Sequence, residues 1–204
     1  TFAIDATAGD IVGSSLSVSN NAQRSDAGSN LAANVIDVSA TNLSAGSALS
    51  SYQDSAAAIS ALSNLDVFAP GASTQSTTKM NDNTNTARAV VNEASNTVQV
   101  SATNVNPVST PNLVSNPVQR TLTADHTLVS VQGATGSAAS AASSQIYNGD
   151  AAQLASNGLS SGSIEIAGNA TIAQSVANLA SNAMTVDGSA NQGASAGVNN
   201  VQIS

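Results

Sequence analysis

Apolar and polar residues alternate in three related segments of the chain, at residues 30–42 (NLAANVIDVSATN), 92–104 (NEASNTVQVSATN) and 178–190 (NLASNAMTVDGSA). In each segment the alternate positions follow N-x-A-x-N-x-[IMV]-x-V-x-[AG]. A period of two places these residues on one face of a β-strand. The pattern therefore predicts three related strands, each with asparagine, alanine and aliphatic side chains on its inner face.

The repeat extends upstream of these segments. Leu16 and Val18 stand as far from Asn30 as Ile164 and Ile166 stand from Asn178. We therefore expect a repeat of about thirty residues that reads strand, turn, strand. In the first copy the strands are predicted at residues 16–22 and 32–40, and the turn at the polar residues 23–29, which include Asp and Gly. Either a hairpin or one coil of a solenoid fits this pattern.

The small side chains restrict the kind of core that the chain can build. Aromatic residues make up only 2% of the sequence, and Ser, Ala and Asn dominate it. Because protein interiors are filled at crystal-like density, a wide core is hard to build from such residues. The sequence predicts an all-β fold, either a repetitive β-solenoid (β-helix) or narrow stacked β-sheets built from the strand-turn-strand repeats. Asn34, Asn96 and Asn182 are expected to stack as a structural ladder.

The prolines suggest how the chain is divided. Pro107, Pro111 and Pro117 fall in one stretch, and proline avoids central strands because it lacks an N–H group. We predict an N-terminal β-repeat region at 1–104, a Pro-rich crossing at 105–120 and a C-terminal β-repeat region at 121–204, with one continuous domain as the alternative. The repeats within these regions are placed near 14–43, 76–104 and 163–190, with a partial repeat at 194–204. Helix is the rival structure for the alanine-dense residues 55–63 and for the stripe at 172–183.

Charge and composition indicate which partners to expect. The net charge is −8 with only four cations, which disfavours binding to nucleic acid or to an anionic membrane. Charged residues make up 8% of the chain, against about 25% in typical soluble domains. A surface so weakly charged resists association poorly, which suits a protein that assembles. No apolar run is long enough to span a membrane. We expect an extracellular or cell-surface protein, either trimmed of its signal or a fragment of a longer chain.

Candidate chemistry is sparse. His126 is the only histidine, and on a strand its neighbour Asp125 would point to the opposite face, so we predict a surface histidine and no catalytic site. Residues 81–85 (NDNTN) lack the glycine and the final glutamate of a calcium loop, which favours a polar turn without metal. Asp37 and Asp187 are expected to face solvent. Scattered carboxylates argue against a polysaccharide-cleaving β-helix enzyme, and no cofactor is expected.

The Asn, Gln and Ser-rich strands, as in residues 19–23 (SNNAQ) and 178–182 (NLASN), resemble the curlin-type and related β-strand-repeat proteins of bacterial surfaces. The curlin pattern S-x5-Q-x-G-x2-N-x-A-x3-Q is nowhere intact, and the repeat here is longer. The resemblance implies extracellular fibres that serve surface adhesion and biofilm formation.

The sequence favours a structural protein rather than an enzyme, namely a subunit of an extracellular self-assembling filament or cell-surface fibre. Its partner would be copies of itself, joined by β-strand edge pairing or by strand donation. The residues expected at the assembly contact are Phe2, Ile4, Ala6, Val201 and Ile203.

The alternative function is a β-solenoid adhesin stalk, or a module that binds a surface glycan or another cell-surface protein. The loops at 69–78 and 105–118 would carry that binding, and only Tyr52 and Tyr147 could supply aromatic platforms for a sugar ring.

Overall fold

The computed structural model describes residues 2–5, 11–69, 73–115, 121–148 and 159–204. All regular structure in these residues is β, as predicted. The strands are β1 (Phe2–Asp5), β2 (Ile11–Val12), β3 (Ser15–Ser19), β4 (Ala22–Leu43), β5 (Ser47–Ser55), β6 (Ile59–Ala69), β7 (Ser73–Thr74), β8 (Thr77–Asn81), β9 (Thr84–Val105), β10 (Asn112–Ser115), β11 (Thr121–Ala124), β12 (His126–Ala134), β13 (Ala138–Asn148), β14 (Leu159–Ser160), β15 (Ser163–Ala167), β16 (Ala170–Asn191) and β17 (Ala196–Ile203).

The helical alternatives are wrong. Residues 172–183 lie within β16, and residues 55–63 contain the end of β5 and the start of β6. Tertiary pairing overrides the helix propensity of alanine in both segments. Among the residues that the structure describes, no helix is long and apolar enough to cross a membrane.

The described strands form five three-stranded sheets and one two-stranded sheet. The orders of the three-stranded sheets are β1-β6-β13, β2-β7-β14, β3-β8-β15, β4-β9-β16 and β5-β12-β17. In each of these, the strand that comes second along the chain lies in the middle. The two-stranded sheet is the antiparallel pair of β10 and β11. Pro107 and Pro111 lie between β9 and β10, and Pro117 lies outside the described residues.

The three sequence repeats lie side by side in parallel register. β8 pairs in parallel with β3 and with β15, so that Val18, Met80 and Ile166 form one row across the sheet. β9 also lies parallel to β4 and is bonded to it at both ends. At the start of β9, Thr84 N–H donates to Asn21 O (2.8 Å), and just past its end Asn106 N–H donates to Leu43 O (2.8 Å). Each repeat copy is therefore a short strand followed by a 22-residue strand. The equivalent strands of the three copies lie next to one another in the sheets.

The turn predicted at residues 23–29 is wrong, because these residues lie inside β4. The hairpin alternative is also wrong, since β3 pairs with β8 rather than with β4. The break in each copy comes earlier, at a residue in the left-handed region: Asn20 (φ 58°), Asp82 (φ 56°) and Gly168 (φ 65°). Asn, Asp and Gly are the residue types that adopt this conformation most readily. Upstream of it lies a second left-handed position in each copy, at Gly13, Gln75 and Ser161.

The long strand β9 is buried on different faces along its length. Asn85, Ala87 and Ala89 are buried in its first part, whereas the buried alternate residues of its second part are Asn92, Ala94 and Asn96. Because side chains alternate between the faces of a strand, these odd and even sets point to opposite faces. A single strand thus contributes to two separate sets of buried residues.

The chain divides into two compact units, and the sequence-based division at residues 105–120 stays a prediction. The first unit comprises residues 1–27, 60–89 and 139–175. Its core is formed by Val18, Leu65, Val67 and Met80, with Leu16 and Ile146 packed against them. The described side chains of this cluster are all aliphatic or Met, which fits the low aromatic content of the chain.

The second unit comprises residues 28–59, 90–138 and 176–204. Its core contains the aliphatic residues of the repeat motif together with three leucines from other segments, namely Leu43, Leu49, Val98, Val100, Ala102, Val105 and Leu128, with Ile36, Val38, Met184 and Val186 packed against them. The C-terminal alternating segment forms β17 in this unit. It pairs with β12 and lies in a different sheet from the three motif strands.

Candidate functional site: the outer strands and their amide ladders

Stacked side-chain amides cross the sheet of β4, β9 and β16. Asn34 Nδ2 donates to Asn96 Oδ1 (2.8 Å), and Asn96 Nδ2 donates to Asn182 Oδ1 (2.8 Å). Asn96 is fully buried and also donates to Ser130 Oγ (3.3 Å). The structure therefore brings together the three asparagines that the sequence placed in one ladder. Each amide donates toward β16, so the ladder has a direction.

Further ladders accompany this one, including two that sequence reasoning did not find. The same sheet carries a second motif ladder, with Asn30 donating to Asn92 (2.9 Å) and Asn92 to Asn178 (2.8 Å). The ladders that were missed join Asn21, Asn83 and Asn169, and Gln202, Gln132 and Gln53. The sequence contains a signal for the asparagine ladder, because these asparagines hold the same position in all three repeat copies. The glutamines had none, since they lie in segments with no common motif.

Each three-stranded sheet has two outer strands, and each of these has one edge that pairs with no other described strand. In the sheet of β4, β9 and β16, Asn106 N–H bonds Leu43 O, and Gln192 N–H bonds Val105 O (2.9 Å). Alternate residues of a strand direct their N–H and C=O groups to opposite sides. The odd-numbered residues of β4 therefore face β9, and its even-numbered residues present their backbone groups at the open edge. In β16 the even-numbered residues face β9, and the odd-numbered ones face outward.

Exposed apolar side chains are concentrated on these outer strands. Within the described part of the chain, the exposed large apolar residues on outer strands are Val12, Leu31, Val35, Tyr52, Ile164, Ile166, Ile172, Leu179, Val198 and Ile203. Among the described residues, only Leu62, on the middle strand β6, and Leu113, on β10 of the two-stranded sheet, are exposed elsewhere. Leu31 and Val35 on β4 are 69% and 71% exposed. Single exposed apolar residues are common on proteins, and most of the large ones in the described part of this chain lie on outer strands.

The outer strands lack two common protections of a sheet edge, lysine and proline, although β4 and β16 carry exposed charged residues, among them Arg24, Asp37 and Asp187. Natural edges are commonly blocked by lysine, proline or inward-pointing charges. The strands β3, β4, β5, β15, β16 and β17 contain neither lysine nor proline. Glu165 on β15 is exposed but is paired with Lys79 of the middle strand β8 (2.8 Å). A hydrogen bond from Lys79 lowers the pKa of Glu165, so this carboxylate is charged and already partnered.

The N-terminal residues predicted at the assembly contact are partly described. β1 pairs in parallel with β6 of the same chain, with Phe2 opposite Leu65 and Ile4 opposite Val67. Ala6 lies outside the described residues. One edge of the N-terminal strand is therefore paired with β6 of its own chain, and its other edge is an outer edge of the sheet.

The C-terminal residues predicted at the contact lie on an outer strand. Val201 lies opposite Val131, and Ile203 lies opposite Gly133. β12 lies between β17 and β5, so both β17 and β5 are outer strands of this sheet. Val201 is half-buried, and Ile203 is exposed.

His126 is not a surface residue, and that prediction is wrong. It is 1% exposed at the start of the middle strand β12, and its Nδ1 lies 3.0 Å from Ser47 Oγ. Its Nε2 has no hydrogen-bond partner among the described residues. Burial lowers the pKa of His126, and the nearby Asp125 carboxylate opposes this effect only in part. β12 is buried at nearly every position, and so on both of its faces, which sequence alternation alone does not reveal.

Asp125 is buried beside His126 but does not bond to it. Its carboxylate accepts hydrogen bonds from the backbone N–H groups of Val108 (2.9 Å) and Ser195 (2.7 Å) and from Ser195 Oγ (2.8 Å). These bonds lower the pKa of Asp125. Ser47, His126 and Asp125 thus lack the serial hydrogen bonds of a catalytic triad. The carboxylate instead ties the segments that precede β10 and β17 to the start of β12.

The other residues considered for chemistry are dispersed. Asp37 and Asp187 are exposed, as predicted. Residues 81–85 form the corner between β8 and β9, where buried Asn83 donates to Val18 O (2.9 Å). No group of three or more His, Cys, Asp or Glu side chains within the described ranges could hold a metal ion.

Two grooves open on the outer strands of the second unit. One, of about 560 Å³, crosses all three motif strands between Leu31 and Leu179, with Ala33, Ser95 and Ser181 along it. The other, of about 570 Å³, is lined by Ser29, Asn30, Leu31, Tyr52, Gln53 and Asp54. Tyr52 is 56% exposed, whereas Tyr147 lies on β13. Residues 70–72 and 116–118 of the two loops predicted to bind glycan lie outside the described residues.

Comparison of the chain with protein-family models, with curated proteins and with solved structures finds no match.

Proposed function

We propose that this chain is the structural subunit of an extracellular self-assembling filament, which polymerises by pairing the edges of its outer β-strands. One observation carries the proposal: the exposed large apolar residues are concentrated on outer strands whose backbone N–H and C=O groups are unpaired within the described residues. An unprotected edge with apolar side chains beside it is a template for another chain. The partner is a second copy of the same chain.

The proposal includes a β-solenoid architecture with three coils. Parallel strands in register support it, as do amide ladders that link residues 62 positions apart between the first two coils and 86 apart between the last two. The left-handed residues recur at matching positions in all three copies, which suits the corners of successive coils. Stacked coils leave an open edge at each end, which favours assembly from the ends.

Edge pairing is favoured over strand donation. β1 already pairs with β6, and donation would require this strand to leave its own chain before it joined another. The outer strands of the other sheets are available without any such rearrangement. Phe2 and Ile4 then contribute through the free edge of β1, and Val201 and Ile203 contribute through the free edge of β17.

A location at the cell surface fits the chemistry of the chain. The sequence has few charged residues and no cysteine, and its hydroxyl and amide side chains suit long-lived contacts that do not depend on salt or redox state. The resemblance to curlin-type repeat proteins points to the same setting, with roles in surface adhesion and biofilm formation.

Electron microscopy of the purified chain, together with fibre diffraction, tests the proposal. We expect uniform filaments with a meridional reflection at about 4.7–4.8 Å, the spacing of strands that stack along the filament axis. Monomers that stay dispersed at concentrations up to tens of micromolar would contradict it. Labelling of intact producing cells with an antibody to the chain tests the surface location, and signal only after lysis would contradict that part.

The second candidate function is glycan binding by an adhesin stalk, and the groove beside Tyr52 favours it. An exposed aromatic ring with Asn30, Gln53 and Asp54 nearby offers stacking and hydrogen bonds to a sugar. A glycan array with the wild-type chain and a Tyr52→Ala variant tests this function. It predicts binding by the wild type that the variant loses, and the absence of any bound glycan would exclude it.

A further inference from the structure

We propose that copies stack head to tail, with the β16 and β17 edges of one copy against the β4 and β5 edges of the next, in parallel and in the register that the sheets already have. This inference rests on the proposed function and specifies its contact.

The backbone groups at the two open edges are complementary in this arrangement. Within the chain, odd-numbered residues of β4 face even-numbered residues of β9, and odd-numbered residues of β9 face even-numbered residues of β16. At the open edges, β16 presents its odd-numbered residues and β4 presents its even-numbered ones. A junction between β16 and the next copy's β4 therefore repeats the pairing found at the two junctions inside the chain.

The amide ladders also continue across this junction. Asn182 accepts a hydrogen bond from Asn96, and no contact within the described residues uses its own Nδ2. In the stacked arrangement this group donates to Oδ1 of Asn34 in the next copy. The glutamine ladder runs the other way, since Gln202 donates to Gln132 and Gln132 donates to Gln53. Gln53 of the next copy then donates to Gln202, so the ladders close the junction in both directions.

The exposed apolar side chains find partners in the same register. Val198 and Leu49 both lie opposite Leu128, and therefore meet across the junction. Val201 and Tyr52 both lie opposite Val131 and meet in the same way.

Across the motif sheet, Leu179 of one copy meets Leu31 of the next. These leucines directly follow Asn178 and Asn30 of one amide ladder, and both line the apolar groove. Leu31, which is 69% exposed in the single chain, thus gains an apolar neighbour at the contact, as does Leu179.

A closed dimer does not use these features. A two-fold axis perpendicular to the sheet that joined β4 to β4, or β16 to β16, would place the strands antiparallel. One parallel to the strands would turn the amide faces of the two copies to opposite sides, so neither axis aligns the amide ladders. Contact between the two different edges leaves one of each open, so growth continues. The structure therefore assigns the filament a polarity, with a β4 end and a β16 end.

The variant Ser181→Pro tests this contact. Ser181 is an exposed, odd-numbered residue of β16, so its N–H group lies at the open edge and its side chain faces solvent. Proline removes that N–H group and blocks the edge, yet breaks no hydrogen bond within the chain. Ser181→Ala is the matched control, because it loses the same hydroxyl but keeps the N–H group.

We expect Ser181→Pro to stay a folded monomer by circular dichroism and sedimentation, with loss of filaments, whereas Ser181→Ala polymerises like the wild type. Because the variant keeps its β4 edge, it should cap growing wild-type filaments. Added as a minor fraction, it should shorten them severalfold. Asn182→Asp keeps the hydrogen bond from Asn96 but places a charge against Asn34 of the next copy, and should slow elongation.

The outcomes separate this inference from the proposed function. Wild-type chains that form no filaments overturn the function itself. If the wild type polymerises and Ser181→Pro and Asn182→Asp do so equally well, the filament grows through another surface, and the stacking contact is wrong while the function stands. If Ser181→Pro is blocked but does not cap wild-type filaments, the two edges do not meet head to tail.

Discussion

A single buried amide shows how closely this fold depends on individual residues. Asn96 accepts a hydrogen bond from one strand and donates to the next, so only a side chain with both a donor and an acceptor satisfies both neighbours. Large residues are scarce here, and the ladders therefore give the narrow interior a specific register that valine and alanine alone would not define.

Asn96→Asp should destabilise the chain by about 3–5 kcal/mol, because it leaves a buried charge that faces the carbonyl oxygen of Asn182 without a compensating cation. Thermal and urea unfolding of the monomer measure this effect. Gln99→Glu on the same strand is the matched control, since Gln99 is exposed and the change adds the same charge. Equal unfolding midpoints for the two variants would contradict the role of Asn96 in the ladder.

His126 should make the fold sensitive to mild acid. Its pKa in the folded chain lies below the unfolded value of 6.5, so the unfolded chain binds the extra proton first. The histidine contribution to stability is complete above pH 6.5 and is lost as the pH falls through that value toward the lower folded pKa. The pKa of Asp125 is lowered as well, which adds a second loss below its ordinary value of 3.8.

Melting temperatures of the monomer between pH 8 and pH 5 measure this dependence. His126→Gln keeps a polar side chain that does not titrate, and it should flatten the decline between pH 7 and pH 5 even if it lowers the melting temperature throughout. An unchanged slope in this variant would show that His126 is not the group responsible.

At the scale of the element, the long strands were predictable and their breaks were not. The alternation in residues 30–42 and its two copies locates the second half of each long strand. The turn expected at residues 23–29 was inferred from Asp26 and Gly28, yet both lie on the exposed face of an outer strand, where polar and small residues are tolerated. The actual break depends on the left-handed backbone at Asn20, which a residue type suggests but does not determine.

Hydrogen exchange should distinguish the two sides of β4 in the monomer. The N–H groups of Val35 and Asp37 point to β9 and should exchange slowly. Those of Ile36 and Val38 point to the open edge and should exchange rapidly, although their side chains are half-buried. Exchange measured by NMR on the Ser181→Pro monomer gives this pattern directly. Uniform protection along β4 would mean that both sides of the strand are already paired.

At the scale of the whole molecule, the sequence supports an all-β chain and a repeat but does not reveal which strands become neighbours. The Gln53 ladder and the burial of His126 depend on strand pairings between segments without a shared motif. Segments of different length separate the copies, so their spacing changes from 62 to 86 residues and hides the regular stacking. The unpaired edges follow from the three-dimensional sheet order alone.

The filament should repeat once per molecule along its axis. Each motif sheet contains three strands, and neighbouring strands are separated by about 4.7–4.9 Å, so we expect an axial rise of about 14 Å per subunit. Helical reconstruction from electron micrographs measures this rise. A rise near the length of a 22-residue strand would instead mean that the strands run along the filament axis.

The constant offset of 62 residues between the first two copies has a consequence for how such a chain changes over evolution. Strands β2, β3 and β4 all meet their partners in the second copy at this offset. A tandem duplication of one such unit within the gene would add one strand to each of these sheets, place a left-handed corner at each required position and lengthen the Asn34 ladder by one amide. The length of the molecule can therefore change in whole units, without the redesign of a core that a globular domain would need.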